Sequence, residues 1–121
     1  MANPAVIAYA TPMSYQPDTT WQEGPVLITV TFTVPPENER HFVEAMQRVQ
    51  ASRRRTGATR WNLYRDAAVP GRFMETFLVP SWEEHLRQHR ERLTATDQDI
   101  EREAVTLAAG PPEVAHLLRA R

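Results

Sequence analysis

Two histidines four residues apart, His85 and His89, stand out first. At i and i+4 on a helix they would lie one turn apart on the same side, a spacing that can hold a single metal ion. The run H-L-R-Q-H lacks the general-base Glu of H-E-x-x-H, however, and spacing alone does not choose a third ligand from His41, His116 or the carboxylates, so no metal is expected. The alternative is structural, with both rings packed partly under Trp82 and Trp61 and hydrogen-bonded across a sheet or a dimer. A second group, Trp61, Asn62, Tyr64 and Arg65, supplies rings and hydrogen-bonding groups of the kind that line ligand pockets. Glu75 stands in mid-strand, where pairing with Arg60, Arg65 or Arg72 across a hairpin is the better reading than a general base. Of Ser14, Ser52 and Ser81, the first lies in an extended arm and the last caps a helix, which argues against a serine triad.

The elements that must position these groups can be read from periodicity. Val26 to Val34 alternates, with Val26, Ile28, Val30, Phe32 and Val34 on one face and Leu27, Thr29, Thr31 and Thr33 on the other, as in a strand. Pro35 and Pro36 stop it and suit a first helical turn, and Phe42, Ala45, Met46 and Val49 carry an apolar helical stripe to about Arg55. Arg53, Arg54 and Arg55 fall in the last turn before Gly57, where cations complement the carbonyl end and reach solvent. Thr59 to Asp66 predicts a second strand, with Trp61, Leu63 and Arg65 on one face. A turn at Val69, Pro70 and Gly71 then returns Phe73 to Val79 antiparallel, with Phe73, Glu75, Phe77 and Val79 sharing a face. Ser81 and Glu84 form an S-x-x-E capping box at the start of the helix that carries both histidines, with Trp82, Leu86, His89 and Leu93 at helical spacing. Thr96 through Asp99 can cap a further helix with Ile100, Ala104, Leu107 and Ala108 as its stripe, ended by Gly110, Pro111 and Pro112, and Val114 to Leu118 predicts a last strand.

This order is the split βαβ, or ferredoxin-like, plan: an α+β fold, βαββαβ with the second helix in two parts, over a four-stranded antiparallel sheet. Helices should cover one sheet face only. A second subunit is the economical cover for Thr29, Thr31 and their apolar neighbours on the other face, which predicts a homodimer. Residues 1–23, with Pro4, Pro12 and Pro17 and no regular period, read as an extended arm whose end Trp21 pins, and residues 24–121 as the folded domain.

Composition narrows the function classes. A chain of 121 residues with 41% hydrophobic content fits one domain. With 14 basic against 15 acidic residues, the net charge of −1 gives no reason to expect nucleic acid or an anionic membrane as partner. Every basic residue is Arg, which removes Schiff-base, phosphate-loop and Ser-Lys chemistry. The absence of Cys removes disulfides and thiolates and makes the cytoplasm the default compartment. Ala5 to Ala10 is too short for a signal peptide core, and Val26 to Val34 falls far short of the roughly 20 residues of a membrane helix, so no direct membrane insertion is expected.

From about Gly24 to the C-terminus the pattern resembles the dimeric α/β-barrel superfamily that includes the antibiotic-biosynthesis monooxygenases. Residues 53 to 89, RRRTGATRWNLYRDAAVPGRFMETFLVPSWEEHLRQH, are similar to the soluble C-terminal domain of bacterial major facilitator exporters of the transmembrane secretion effector type. The Pro-rich arm resembles the linker that follows the last membrane helix of those exporters. The resemblance implies a side-by-side dimer and a ligand-binding or regulatory module, fused to or associated with a membrane transporter at the cytoplasmic face of the inner membrane. The alternative it implies is a cofactor-free monooxygenase for a small aromatic or polyketide-like substrate. That alternative implies His85 and His89 as the candidate catalytic residues, one of them the base in a closed apolar pocket with Trp61 or Tyr64, and Trp61, Asn62, Tyr64 and Arg65 as the candidate ligand-binding residues. The haem-degrading branch uses Asn on the first strand, Trp on the third and His on the following helix. Here the first strand carries threonines and the third has no Trp, so only a histidine matches and no haem or other cofactor is expected.

Overall fold

The computed structural model describes residues 24–87 and 94–120, so the arm with Trp21, His89 and Leu93 lie outside the described residues. Strand β1, Val26–Thr33, buries every second side chain because strand neighbours point to opposite faces. Pro35 cannot continue the ladder, and a 3-10 turn at Pro36–Asn38 leads into helix α1, Glu39–Arg55. Strands β2, Thr59–Arg65, and β3, Arg72–Val79, form the predicted hairpin, and the predicted helix pair is α2, Trp82–Arg87, and α3, Ala95–Thr106. Strand β4, Glu113–Leu118, closes the fold.

The sheet order is β2-β3-β1-β4, all neighbours antiparallel, which is the predicted ferredoxin-like α+β fold. The register pairs Ile28 with both Phe77 and His116, so these three side chains share the face that packs under the helices. Val26, Val30, Phe32, Phe73 and Val79 join Phe42, Met46 and Val49 of α1 there. Phe42 stands edge-on to Phe32 at 4.9 Å and tilted to Phe73 at 5.2 Å, which binds α1 to the two central strands. The opposite face carries Leu27, Thr29 and Thr31 beside Met74, Thr76 and Leu78, with Tyr64 and Leu117 toward its edges. No helix covers it among the described residues. Tyr64, Met74 and Leu117 are 53%, 39% and 48% exposed.

Gly71 closes the hairpin against β1. Its φ of +81° suits glycine, its carbonyl accepts from the Val34 N–H at 2.8 Å, and a Cβ there would meet the Val34 carbonyl oxygen at 2.7 Å.

Two details differ from the sequence reading. The cap of α3 is Thr94, not Thr96: the Thr94 hydroxyl accepts from the Asp97 N–H at 3.2 Å, and the Asp97 carboxylate accepts from the Thr94 N–H at 2.9 Å. Both T-x-x-D frames fit the capping pattern, and Ser52 and Arg55 of α1 favour the first by holding Asp97. The stripe on α3 also rotates, because Asp97, Glu101, Ala104 and Val105 are the residues it buries, whereas Leu107 and Ala108 pack against the core from beyond its end.

Candidate functional site

Strand β2 lies at the sheet edge and carries an irregularity that aims its side chains. Thr59 pairs with Leu78 and Asn62 with Thr76, so Arg60 and Trp61 together oppose Phe77 alone, a β-bulge with Arg60 at φ +53°. Beyond the bulge the alternation turns Trp61 and Leu63 to the helix side and Asn62 and Tyr64 to the open side. Because the strand is an edge, both sets border one opening. A cleft of about 420 Å³ between α1 and β2 is lined by Trp61, Asn62, Leu63, Tyr64 and Arg65, with Val43, Gln47 and Gln50 from α1 and Phe73 as its floor. All four candidate ligand-binding residues thus meet in one cleft. Gln47 and Gln50, which the sequence reading did not single out, add amides to it.

The two strongest polar groups in the cleft are already engaged. The Arg65 guanidinium pairs with Glu39 and lies over the Phe73 ring at 4.7 Å. The Trp61 indole N–H donates to Glu75 at 2.8 Å, which fastens the ring at its nitrogen edge while it lines the cleft. What remains for a ligand is an aromatic wall, aliphatic side chains, amides and a phenol.

Glu75 corrects the sequence reading. It does form an ion pair, but with Arg53 and not with Arg60, Arg65 or Arg72. Glu75 is on the core face of β3 and fully buried, beneath the helix that carries Arg53. Arg53, read from sequence as a solvated helix end, is only 5% exposed: Nε donates to Glu75 at 3.0 Å, Nη2 to the same carboxylate at 3.4 Å and Nη1 to Glu101 at 2.8 Å, with the guanidinium over the Phe77 ring at 4.6 Å. Helical spacing carried through charged residues would have marked Arg53 and Glu101 as buried, though not as partners. Phe42, Ala45, Met46 and Val49 continue one turn to Ser52 and Arg53, and Ala104 and Val105 lead back to Glu101 and Asp97. Burial pushes the Glu101 carboxyl above the ordinary carboxylate range, opposed by Arg53 and reinforced by Glu75 and Asp97. Burial also pushes on Asp97, but hydrogen bonds from Arg55, Thr94 and Ser52 outweigh it and hold that carboxyl at about 2.

The histidines occupy a different place. His85 is buried on α2, its ring 5.2 Å from that of His116 and 6.1 Å from that of Trp82, while Trp82 and His116 stand edge to face at 5.3 Å. The expected packing with Trp82 is present, but the companion is His116 of β4 in place of Trp61, which stands on the strand at the far edge of the sheet. His85 is accordingly not among the residues lining the Trp61 cleft. Burial lowers the His116 imidazole below the ordinary histidine range, so that ring is neutral at neutral pH. His89 lies outside the described residues. No group of three metal-capable side chains comes together, and no helix is long and apolar enough to cross a membrane, among the described residues.

Known structures share this architecture. A candidate antibiotic biosynthesis monooxygenase from Caulobacter crescentus superposes with a TM-score of 0.70 at 18% identity, covering 84% of this chain and 95% of that one. Candidate antibiotic biosynthesis monooxygenases from Bordetella bronchiseptica and Nitrosomonas europaea both give 0.66 at 20% identity over 81% of this chain, covering 99% and 92% of theirs. At such identities the likeness establishes the fold. No curated protein matches the sequence. The transmembrane secretion effector family matches residues 8–121, nearly the whole chain, and the chain belongs to that family.

Proposed function

We propose that residues 24–121 form a ligand-binding or regulatory module that acts as a homodimer in association with a major facilitator exporter, on the cytoplasmic side of the membrane, with residues 1–23 as the arm that joins it to its surroundings. The observation that carries this reading is the β2 cleft: it gathers rings and amides around Trp61, yet its guanidinium is spent on Glu39 and the candidate base His85 lies elsewhere. Such a lining suits a small, flat, neutral aromatic ligand better than it suits proton abstraction. The sheet face that no helix covers among the described residues supports the dimer, because each large apolar side chain buried there gains about 1.5 to 3 kcal/mol and a two-fold axis lets the same face cover itself. The second reading, a cofactor-free monooxygenase using His85 or His89, is favoured by the names of the structural neighbours.

Light scattering after size exclusion tests the dimer: wild type should run as a dimer at micromolar concentration, and Leu117→Arg, at an exposed position, as a folded monomer. A monomeric wild type would contradict it. For the cleft, a hydroxylated anthraquinone titrated against the protein should bind and stay chemically unchanged in air, and Trp61→Ala should abolish binding. Oxygen-dependent turnover that Trp61→Ala leaves intact and His85→Ala removes would favour the enzyme.

A further inference from the structure

One guanidinium serves two buried carboxylates in the core. Arg53 of α1 binds Glu75 of β3 through Nε and Nη2 and Glu101 of α3 through Nη1, and Glu75 and Glu101 are both fully buried. The second Glu101 oxygen finds no hydrogen-bond partner among the described residues. On the other side of the cluster, a single Glu75 oxygen, Oε2, accepts both from Arg53 Nε at 3.0 Å and from the Trp61 indole N–H at 2.8 Å. Trp61 forms the wall of the cleft.

We propose that Arg53 and Glu75 are positioning residues for the cleft, and that the chain Glu101, Arg53, Glu75, Trp61 couples the hold on the Trp61 ring to whether Glu101 carries a proton. The physical basis is competition at one oxygen. With Glu101 ionised, Arg53 is drawn toward both carboxylates, and the Trp61 N–H has the stronger claim on Glu75 Oε2. With Glu101 protonated, the attraction of Arg53 concentrates on Glu75 and the indole bond weakens. Among the described residues, the charged groups acting on Glu101 are Arg53 from α1, Glu75 from β3 and, on its own helix, Asp97, whose charge Arg55 balances. Burial raises the Glu101 carboxyl, which brings the switch from the acid range toward the neutral one. Since that raised group favours folding fully below its ordinary value of 4.5 and loses this contribution as pH rises through its folded value, ionisation strains the same cluster that holds Trp61.

The direct readout is the Trp61 indole N–H resonance in nitrogen-15 spectra of the full chain between about pH 4 and about pH 8, the span in which a buried carboxyl titrates. It should move downfield as Glu101 ionises and become flat in Glu101→Gln, with the other resonances in place. A flat signal in wild type, or an unchanged titration in Glu101→Gln, overturns the coupling. If Glu101→Gln does not fold, Glu101→Asp carries the same test, and there the midpoint must move. The consequence for ligands rests on the cleft being the binding site. Anthraquinone affinity of wild type, relative to Glu101→Gln, should change by about five-fold or more over that span. No binding at any pH sinks the cleft reading and leaves the resonance to judge the coupling, whereas pH-dependence identical in the two proteins overturns the link between cluster and cleft.

Discussion

Removing Glu75 separates the buried charge cluster from the surface ion pairs in one experiment. Glu75→Ala deletes an acceptor of three hydrogen bonds, from Arg53 Nε, Arg53 Nη2 and the Trp61 indole, at a position with no solvent access. Breaking a buried ion pair from one side costs about 3 to 5 kcal/mol, because the abandoned charge stays desolvated. Here Arg53 keeps Glu101 as partner, which places the expected loss near the lower end, about 3 kcal/mol. A domain of this size is stable by about 5 to 15 kcal/mol, so the variant should fold but unfold early. With a urea slope of about 1.5 kcal/mol per molar, the midpoint should fall by about 2 M, followed by circular dichroism at neutral pH. Arg65→Ala is the comparison, since the Arg65 side of its pair with Glu39 is open to solvent, 59% exposed, and such a pair is worth about 1 kcal/mol or less. Arg53→Met and the double variant complete a cycle, and a coupling above about 1 kcal/mol is expected. Equal losses for Glu75→Ala and Arg65→Ala, or strict additivity in the cycle, would refute the view that this cluster is a unit.

Acid should expose the Asp97 cap. Its folded value of about 2 lies below the ordinary 3.8, so its contribution is fully present above 3.8 and is lost as pH falls through about 2. The shift corresponds to about 2 kcal/mol, and thermal midpoints measured over that range should fall for wild type and hold flatter for Asp97→Asn, whose midpoint at neutral pH starts lower. Gly71→Ala should cost at least about 1 kcal/mol in thermal unfolding, because the new Cβ meets a backbone carbonyl that cannot swing aside and the residue must hold positive φ.

The fold was legible in the sequence because its signals are local. Alternation in Val26 to Val34, the proline stop at Pro35, the Ser81 cap, whose hydroxyl does accept from the Glu84 N–H at 3.0 Å, and the turn ending at Gly71 each act within a few residues of themselves. Trp61, Asn62, Tyr64 and Arg65 share one cleft for the same reason, being neighbours on one strand. Partners were another matter. Arg53 and Glu75 are 22 residues apart and Arg53 and Glu101 48, separations over which charge complementarity leaves many choices open. A cation in a last helical turn reads as solvated until a neighbouring strand presents a carboxylate beneath it.

What the sequence determined by itself, then, is the run of strands and helices and the faces that β1, β3 and α1 from Phe42 to Val49 bury, since periodicity and caps are properties of adjacent residues. Tertiary structure alone decided that Trp61 is fastened to Glu75, that Arg53 stands between two buried acids, and that His85 meets His116 instead of the cleft. Those facts depend on which strand lies at which edge. The sheet order β2-β3-β1-β4 puts β2 and β4 on opposite sides, and with them the cleft and the histidine pair.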